Sequence, residues 1–403
     1  MPEQYNDNIH GTLPVTALED CCFIDYLVSV TIPPTIKTIG DYAFQGCGLT
    51  TVSIPKSVEY IGRLAFSFCN MLKSIYVDND NEYFSTDGRA LFSQDKKKLY
   101  IYAERSGDSY EIPNGVSIIA FAAFSSTTLS TITIPSSVID MDTAFLYCDC
   151  LQLKIIDKRN ETYETDGRAI YNKTNKKITC YATASGNGYK IKNGTKILGS
   201  EAFECNRKIE TIVLPDTLCT IEECAFRICW SLKSIFIPAS VSSIAPNNTF
   251  LGCDSLSSIA IDDTNPYYST DGHVIFNKNK STLIFFAIPI KGRTYDVPSS
   301  VKTLESHSFC GSGFSNITLP DGLMKISDSA FLRSGLSSIK ILSSVTYLGA
   351  NAFKCNKSLF DFEYAGTISN FHSLLIRSNT TISAVFNGSS LKYVRCTDFN
   401  IAL

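Results

Sequence analysis

Short runs of alternating apolar and polar residues recur along the whole chain. In one such run, Val52 and Ile54 alternate with Thr51 and Ser53, and this period of two predicts a half-buried strand. Pro55 follows and has no N–H to donate, so it predicts the end of the strand. Apolar residues then recur every three to four positions, which predicts a turn-rich or short helical face behind each strand.

A phenylalanine marks the same place in eleven copies of this unit. Neighbouring marks lie 21 to 24 residues apart, except for three gaps of 58 or 59 residues. One unit of this length cannot bury its own apolar side, whereas stacked units share one continuous core. The repeat therefore predicts a β-rich solenoid with a parallel strand ladder and interior rows of Phe, Ile and Val. The marks are Phe23, Phe44, Phe66, Phe124, Phe145, Phe203, Phe226, Phe250, Phe309, Phe331 and Phe353.

The three long gaps hold inserts that are similar to one another, near residues 78–112, 157–191 and 262–297. Each insert carries Asp-Gly between apolar-aromatic runs, a strong signal of a hairpin turn because both residues tolerate positive φ. A second turn rich in Lys and Asn follows, and then another apolar stretch. We therefore expect each insert to be a small β-hairpin meander that continues or flanks the solenoid sheet without forming a separate domain.

The cadence Ile-Pro-x-Ser-Val-x-x-Ile-Gly-x-x-Ala-Phe-x-x-Cys resembles that of the BspA-like leucine-rich repeats. The Asp-Gly inserts look like the hairpins between repeats of that family, and the resemblance covers about residues 12–400. It implies a leucine-rich-repeat solenoid over residues 12–359, a polar stub at 1–11 and a closing segment at 360–403. A closing segment is needed because the last repeat would otherwise expose its apolar face.

The resemblance also implies a function. Members of this family are mostly described as cell-surface antigens of bacteria and parasitic protists that adhere to host proteins and cells. We therefore expect a non-enzymatic, protein-binding repeat protein, surface-exposed or secreted, whose partner is a host or matrix protein. The alternative is a cytoplasmic leucine-rich-repeat scaffold, which the high cysteine content favours. Residues 1–11 also favour it, since they lack the basic and apolar regions of a secretory signal.

Composition excludes several other classes of protein. The 403 residues are 44% hydrophobic, which excludes wholesale disorder, and the net charge of −3 leaves no basic footprint for nucleic acid. No apolar run reaches 18 residues, so we expect no direct insertion into a membrane.

Few side chains suit catalysis or metal binding. The histidines sit at unrelated positions of the repeat and lie in no nucleophile motif: His10, His273, His307 and His372. The acidic loop that begins at Asp78 has Tyr83 where a calcium-binding EF-hand needs Gly. We therefore expect no enzymatic activity, no metal and no cofactor.

Fifteen cysteines are many for a chain of this length. Seven lie two or three residues after a marker phenylalanine, and this repeat position predicts a reduced ladder inside the core. Disulfides between neighbouring repeats are the alternative, which an extracellular location would favour. These cysteines are Cys47, Cys69, Cys148, Cys205, Cys229, Cys253 and Cys355.

Several positions depart from the repeat or suggest modification. Lys154 stands where an inward Ile is expected, which predicts a bulge or a local change of register. Lys192 and Leu342 replace the strand-ending proline. Nine Asn-x-Ser/Thr triplets could carry glycan in a secreted eukaryotic protein. They begin at Asn160, Asn172, Asn193, Asn247, Asn279, Asn316, Asn356, Asn379 and Asn387.

The outward residues of the strands form the predicted partner-binding face. This face is rich in Ser and Thr, with Tyr76 and Phe236 as candidate anchors. Strand propensity alone also explains the Ser and Thr residues, because Thr suits strands. Extended faces of this kind are used for binding by solenoid proteins as a class. The predicted binding residues are Thr51, Ser53, Ser74, Tyr76, Thr131, Thr133, Ser234, Phe236, Asn316 and Thr318.

Overall fold

The structure is a computed structural model, and its described residues fall into two compact units. Unit 1 comprises residues 1–185 and 201–205, and unit 2 comprises residues 186–200 and 206–403. His10 and Asn247 lie outside the described residues. The residues described are 4–7, 11–23, 27–141, 143–148, 150–182, 184, 186–246, 248–287, 294–398 and 400–402.

Unit 1 consists almost entirely of short strands joined by turns. Each regular repeat contributes one strand of three to four residues and one strand of two residues, as alternating apolar residues with β propensity require. Its strands are β1 (Gln4–Asp7), β2 (Gly11–Pro14), β3 (Ala17–Leu18), β4 (Thr38–Ile39), β5 (Thr51–Ile54), β6 (Tyr60–Ile61), β7 (Ser74–Val77), β8 (Phe84–Thr86), β9 (Ala90–Ser93), β10 (Lys98–Tyr102), β11 (Ser109–Glu111), β12 (Ile118–Ile119), β13 (Thr131–Ile134), β14 (Leu153–Ile156), β15 (Tyr163–Thr165), β16 (Ala169–Asn172) and β17 (Lys177–Tyr181).

Unit 2 repeats this plan and adds two helices near its end. Its strands are β18 (Gly188–Lys190), β19 (Ile197–Leu198), β20 (Thr211–Val213), β21 (Thr220–Ile221), β22 (Ser234–Ile237), β23 (Ser243–Ile244), β24 (Ser258–Ile261), β25 (Tyr268–Thr270), β26 (Val274–Asn277), β27 (Thr282–Phe286), β28 (Thr294–Asp296), β29 (Thr303–Leu304), β30 (Asn316–Thr318), β31 (Lys325–Ile326), β32 (Ser338–Leu342), β33 (Tyr347–Leu348), β34 (Asp361–Ala365), β35 (Tyr393–Arg395) and β36 (Asn400–Ala402). Its helices are α1 (Ile368–Arg377) and α2 (Ile382–Phe386).

Strands from successive repeats pair in parallel and form two kinds of ladder. In unit 1 the long-strand ladder is β5–β7 and β11–β13–β14, and the short-strand ladder is β3–β4–β6. In unit 2 the long-strand ladder is β18–β20–β22–β24 and β28–β30–β32–β34–β35, followed by antiparallel β36, and the short strands form β19–β21–β23 and β29–β31–β33. The prediction of a leucine-rich-repeat solenoid with a parallel strand ladder is therefore confirmed. The sharp bends between strands are turns, and helices occur among the described residues only in α1 and α2.

The three inserts are antiparallel meanders. In the first, β8 pairs with β9 and β9 pairs with β10, with a register shift between Leu99 and Ile101. The third strand then joins the short-strand ladder in parallel, as β10 with β12 in unit 1 and β27 with β29 in unit 2. The turn glycine has positive φ in all three inserts, at Gly88, Gly167 and Gly272. The first and third inserts thus continue the short-strand ladder of the repeats.

The marker phenylalanines stack on their counterparts in neighbouring repeats. In unit 1, the ring centroids of Phe44 and Phe66 are 5.1 Å apart. In unit 2, the Phe331 ring lies 5.2 Å from both Phe309 and Phe353. These rings are nearly parallel, and aromatic pairs at such distances add about 0.5–1.5 kcal/mol each beyond burial of area. The phenylalanine rows therefore form the interior of each unit.

Cysteines three residues after the marker phenylalanine have a specific hydrogen bond. The Cys69 thiol donates to the carbonyl oxygen of Phe44 at 3.2 Å, and the Cys253 thiol donates to that of Phe226 at 3.1 Å. Each acceptor is the phenylalanine of the preceding repeat. Burial raises the pKa of the Cys69 thiol, which keeps it a donor. Cysteine therefore suits this position because its side chain is small enough to be buried and its thiol donates one hydrogen bond.

A buried asparagine fastens each insert to the repeat before it. Asn81 Nδ2 donates to the carbonyl oxygens of Pro55 (2.8 Å) and Val58 (3.0 Å). Asn81 Oδ1 accepts from the backbone N–H groups of Tyr83 (2.9 Å) and Phe84 (2.8 Å). The equivalent residues of the other inserts make the same four bonds; they are Asn160 and Asn265. We call these three residues the asparagine clips.

Two of the candidate glycosylation sites are therefore unsuitable in the folded chain. Asn160 is a clip and is buried. Asn356 is also buried, and its Nδ2 donates to the carbonyl oxygens of Phe331 (2.6 Å) and Phe353 (3.0 Å). An acceptor asparagine must be reachable at the surface. These two triplets thus arise from folding requirements.

The expectation of a bulge at Lys154 is wrong. Register runs unbroken through β13 and β14, with Ile132 opposite Lys154 and Thr133 opposite Ile155. Lys154 occupies the inward position, fully buried, and its Nζ donates to the carbonyl oxygen of Arg168 at 3.3 Å. Burial lowers the pKa of Lys154, because desolvation disfavours the ammonium form.

The two strands without the terminal proline behave differently. At Leu342, β32 continues to this residue and pairs it with Ala365, because its N–H is still available. At Lys192, β18 ends at Lys190 even without the proline.

The C-terminal helices cover the last repeat. Thr367 caps α1, and the helix buries Phe371 and two leucines. The α2 segment takes the place of a further repeat, since the N–H of Phe353 donates to the carbonyl oxygen of Val385 at 3.0 Å. The Phe386 ring continues the phenylalanine row, 5.6 Å from Phe353.

Candidate interaction face

The predicted binding residues of unit 1 lie on the outward side of its long strands. Thr51 pairs with Ser74 and Ser53 with Tyr76 across β5 and β7. Tyr76 is 56% exposed. Thr131 and Thr133 lie on β13, which pairs with β11 on one side and β14 on the other. Both residues are half-buried.

The first insert divides this face of unit 1. The N–H of Ile75 on β7 donates to the carbonyl oxygen of Gly88 at 3.0 Å, and Thr86 Oγ1 donates to the carbonyl oxygen of Ile75 at 3.0 Å. The Asp-Gly turn thus stands where the next long strand would pair. Asp87 Oδ2 accepts from the Tyr110 hydroxyl at 2.6 Å. Thr51, Ser53, Ser74 and Tyr76 are therefore separated from Thr131 and Thr133.

Unit 2 has an exposed apolar strip on its long-strand face. Phe236 pairs with Ala260 on β24, and Val213 holds the matching position on β20. Val213 is 53% exposed and Phe236 is 49% exposed, and Ala260 is exposed beside them. We call Val213, Phe236 and Ala260 the apolar strip. Exposed apolar residues that are contiguous mark interaction sites more often than scattered ones do.

Trp230 lies in the loop just before β22, the strand that carries Ser234 and Phe236. The sequence analysis did not single it out as a site residue. Its ring is 44% exposed, and the Arg207 guanidinium carbon lies 4.7 Å from the ring centroid. Trp and Arg are enriched among the residues that contribute most to protein interfaces. The sequence indicates Trp230 only by its position in the repeat, directly after the core residue Cys229 and before the strand begins.

The remaining predicted residues lie beside a charged part of the same ladder. Asn316 and Thr318 are exposed on β30. On the following strands, Lys340 Nζ lies 2.6 Å from a Glu363 carboxylate oxygen, and Arg395 pairs with Asp361. Surface ion pairs of this kind contribute about 0–1 kcal/mol to stability. This end of unit 2 is polar, in contrast to the apolar strip.

The described part of the chain contains no cluster of three His, Cys, Asp or Glu side chains that could hold a metal ion. The acidic residues that open the inserts serve turns instead. Asp78 Oδ1 accepts from the N–H of Asp80, and Asp262 Oδ1 accepts from that of Thr264. Across the described ranges, no helix has the length and apolar character needed to cross a membrane.

The profile of the BspA type leucine rich repeat region matches the chain in six copies. The matched residues are 6–97, 98–184, 176–291 and 285–400. The chain belongs to this family. Leucine-rich repeats of this type generally serve as binding scaffolds without enzymatic activity. This chain is accordingly a BspA-type repeat protein, and its family generally serves as a binding scaffold.

Three solved structures are similar to this chain at low sequence identity. A leucine-rich repeat protein from Eubacterium ventriosum is 21% identical, with 81% of this chain and 82% of that chain covered and a TM-score of 0.49. A leucine rich cell surface protein from Faecalibacterium prausnitzii is 20% identical, with 93% and 89% covered and a TM-score of 0.36. The pneumococcal vaccine antigen PcpA is 18% identical, with 96% and 87% covered and a TM-score of 0.39. No curated protein matches the chain.

Proposed function

We propose that this chain is a cell-surface adhesion protein that binds a host or matrix protein through the long-strand face of unit 2. The apolar strip carries the proposal, because Val213 and Phe236 are large apolar side chains held on rigid strands and left half in water. Trp230 and Arg207 beside β22 add the residue types that dominate protein interfaces. Family membership supports a binding role, and the names of two structural neighbours describe a cell surface protein and a vaccine antigen.

The binding mode follows from the character of this face. Exposed Lys190 on β18 is the cross-strand neighbour of Val213, and the Lys233–Glu210 ion pair lies where β20 and β22 begin. Affinity therefore comes from burying the apolar strip, with charges and Ser and Thr hydroxyls at the rim. The chain has no excess of basic residues, whereas a nucleic-acid-binding protein typically has one.

Binding of the purified chain to a panel of extracellular matrix proteins and to intact host cells tests this function. The double variant Val213→Thr, Phe236→Ser should weaken binding by on the order of tenfold or more, since central apolar anchors dominate interfaces. Ile139→Ser is the matched control, because Ile139 is a similarly exposed apolar residue beside the short strands and not on the long-strand face. Equal losses in both variants, or no binding to any matrix protein or cell, would contradict the proposal.

Location is tested separately. Antibody staining of intact cells against permeabilised cells should detect the chain without permeabilisation. Staining only after permeabilisation would instead support the intracellular scaffold.

A further inference from the structure

A cleft of about 510 Å³ opens in unit 1 between the short strand β6 and the first insert. Its walls combine aromatic rings and charges on β6, on the insert and on the repeat that follows. The residues that the argument uses are Tyr60, Ile61, Arg63, Phe84, Lys98 and Tyr100. At the third insert, a cavity lined by Ile244, Phe250 and Phe285 has a volume of only about 10 Å³.

The first difference between the two places is a hydroxyl group. The third residue after each asparagine clip is Tyr163 in the second insert and Tyr268 in the third. The Tyr268 hydroxyl accepts from the N–H of Ile244 on β23 at 2.9 Å, and the Tyr163 hydroxyl accepts from the N–H of Met141 at 3.3 Å. In the first insert this residue is Phe84, which has no hydroxyl to offer.

The second difference is a ring. Phe285 on β27 reaches the marker Phe250, with ring centroids 5.1 Å apart, and so fills the place beside the third insert. The residue at the same position of the first insert is Ile101, which is smaller and half-buried. The cleft beside β6 is left open by these two replacements together.

The exposed edge of β6 offers a hydrogen-bond donor and an acceptor from one residue. Within the ladder, the N–H of Gly62 donates back to Ile39 on β4, so the N–H and carbonyl oxygen of Ile61 point the other way, into the cleft. Over the described ranges, neither group has a hydrogen-bond partner. A donor and acceptor pair on one strand edge is what an added strand requires.

Two cations border this edge without a neutralising carboxylate. Lys98 Nζ lies 4.6 Å from the Tyr100 ring centroid, and the Arg63 guanidinium carbon lies 4.5 Å from that of Phe121. In the part of the chain that the structure describes, neither cation has a carboxylate oxygen within 4.0 Å.

The lining holds two cations and two acids, and one of the acids is paired with a lysine outside the lining, which leaves one net positive charge. Glu59 also lines the cleft, and its Oε1 forms an ion pair with Lys37 Nζ at 2.9 Å. Asp140 is the other acid of the lining. The cleft therefore favours an occupant that brings negative charge.

We propose that the cleft beside β6 binds an extended acidic peptide segment of the partner protein as an added parallel strand. The peptide carbonyl accepts from the Ile61 N–H, and a peptide N–H donates to the Ile61 carbonyl oxygen. An acidic side chain of the peptide reaches Arg63 or Lys98, and an apolar one lies against Tyr60 and Tyr100. The proposal deepens the protein-binding function and rests on it.

The test uses fluorescence anisotropy with a blocked, labelled peptide of seven residues that alternates valine and glutamate. The same peptide with lysine in place of glutamate is the charge control, and an unsulfated hexuronic-acid disaccharide is the competitor. We expect the acidic peptide to bind, the lysine peptide to bind at least tenfold more weakly, and the disaccharide not to compete. Equal binding of both peptides, or complete displacement by the disaccharide, overturns the proposal.

Phe84→Tyr is the decisive variant, because it supplies the hydroxyl that the other two inserts use. It should raise the melting temperature while weakening the acidic peptide at least tenfold, so loss of binding cannot be ascribed to unfolding. Ile101→Phe should weaken binding in the same way by filling the cleft. Unchanged affinity in both variants overturns the proposal.

The two proposals fail in different ways. If matrix-protein binding is sensitive to Val213→Thr, Phe236→Ser but no peptide binds the cleft, the strand-addition proposal fails alone. If the peptide binds and Phe84→Tyr removes it while no matrix protein or cell is bound, the adhesion proposal fails alone.

Discussion

The first and third inserts share one scaffold and present different surfaces. Both begin with a buried clip, Asn81 or Asn265, which makes four hydrogen bonds, and both turn at Asp-Gly into a three-stranded meander. Two side chains separate them: Tyr268 and Phe285 close the place beside β23, whereas their counterparts leave a cleft beside β6. Backbone hydrogen bonding thus fixes where an insert docks, and single side chains decide whether the place beside it is open.

The asparagine clips should give the largest and most similar effects in the two inserts. We expect Asn81→Ala and Asn265→Ala each to lower the free energy of unfolding by about 4 kcal/mol. Each variant leaves two carbonyl oxygens and two N–H groups without the hydrogen-bond partner that asparagine supplied. The cost is about 1–3 kcal/mol per group before relaxation. Denaturant unfolding monitored by circular dichroism measures this.

Asn316→Ala is the control for the clip variants, because Asn316 is exposed on β30 and should change stability by less than about 0.5 kcal/mol. A clip variant no less stable than this control would show that the four hydrogen bonds contribute little.

Glu104 should make the first insert sensitive to pH between pH 5 and pH 8.5. It follows the meander of that insert and is buried, and burial raises its pKa to about 8 from 4.5. Because the folded-state pKa is raised, its stabilisation is full below about pH 4.5 and is lost as pH rises through about 8. The sequence has Ile288 at the same position of the third insert, which cannot titrate.

We therefore expect the free energy of unfolding of the wild type to fall, relative to Glu104→Gln, by on the order of 3 kcal/mol between pH 5 and pH 8.5. Denaturant unfolding of both proteins across this range measures the difference and cancels the other titrating groups. A difference that stays constant with pH would mean that Glu104 has an ordinary pKa in the folded chain.

Tyr268→Phe should give the smallest effect of the three and makes the third insert resemble the first. The N–H of Ile244 loses its acceptor, at a cost of about 1–2 kcal/mol in the free energy of unfolding. Thermal unfolding compares it with Tyr267→Phe, whose ring is about half exposed. Equal melting temperatures of the two variants would show that the Tyr268 hydroxyl does not stabilise the closed place beside β23.

Much of the fold could be predicted from the sequence because its signals are local. The alternation of Val52 and Ile54 and the proline after them fix a strand and its end within six residues. The Asp-Gly dipeptides fix the hairpins of the inserts. Lys154 shows the limit: its charge suggested a bulge, but the flanking strands hold the register and bury it.

The candidate sites were predicted less completely. Alternation placed Tyr76 and Phe236 outward, and both are exposed. It gave no sign that the first insert divides the face in unit 1 or that Trp230 lies beside Phe236, because both facts depend on how loops of different length dock. The clips were also missed, since Asn160 read as a glycosylation triplet.

The sequence alone determined the repeat, the strand ladder and the stacked phenylalanines, because a period of about 22 residues forces each side chain against its own counterpart. Only the tertiary structure decided which strand edges are satisfied. Whether the N–H of Ile61 has an acceptor depends on the side chain of residue 84, which lies 23 residues later in the chain and beside β6 in the fold. Such a contact follows from three-dimensional docking, and no periodicity along the chain encodes it.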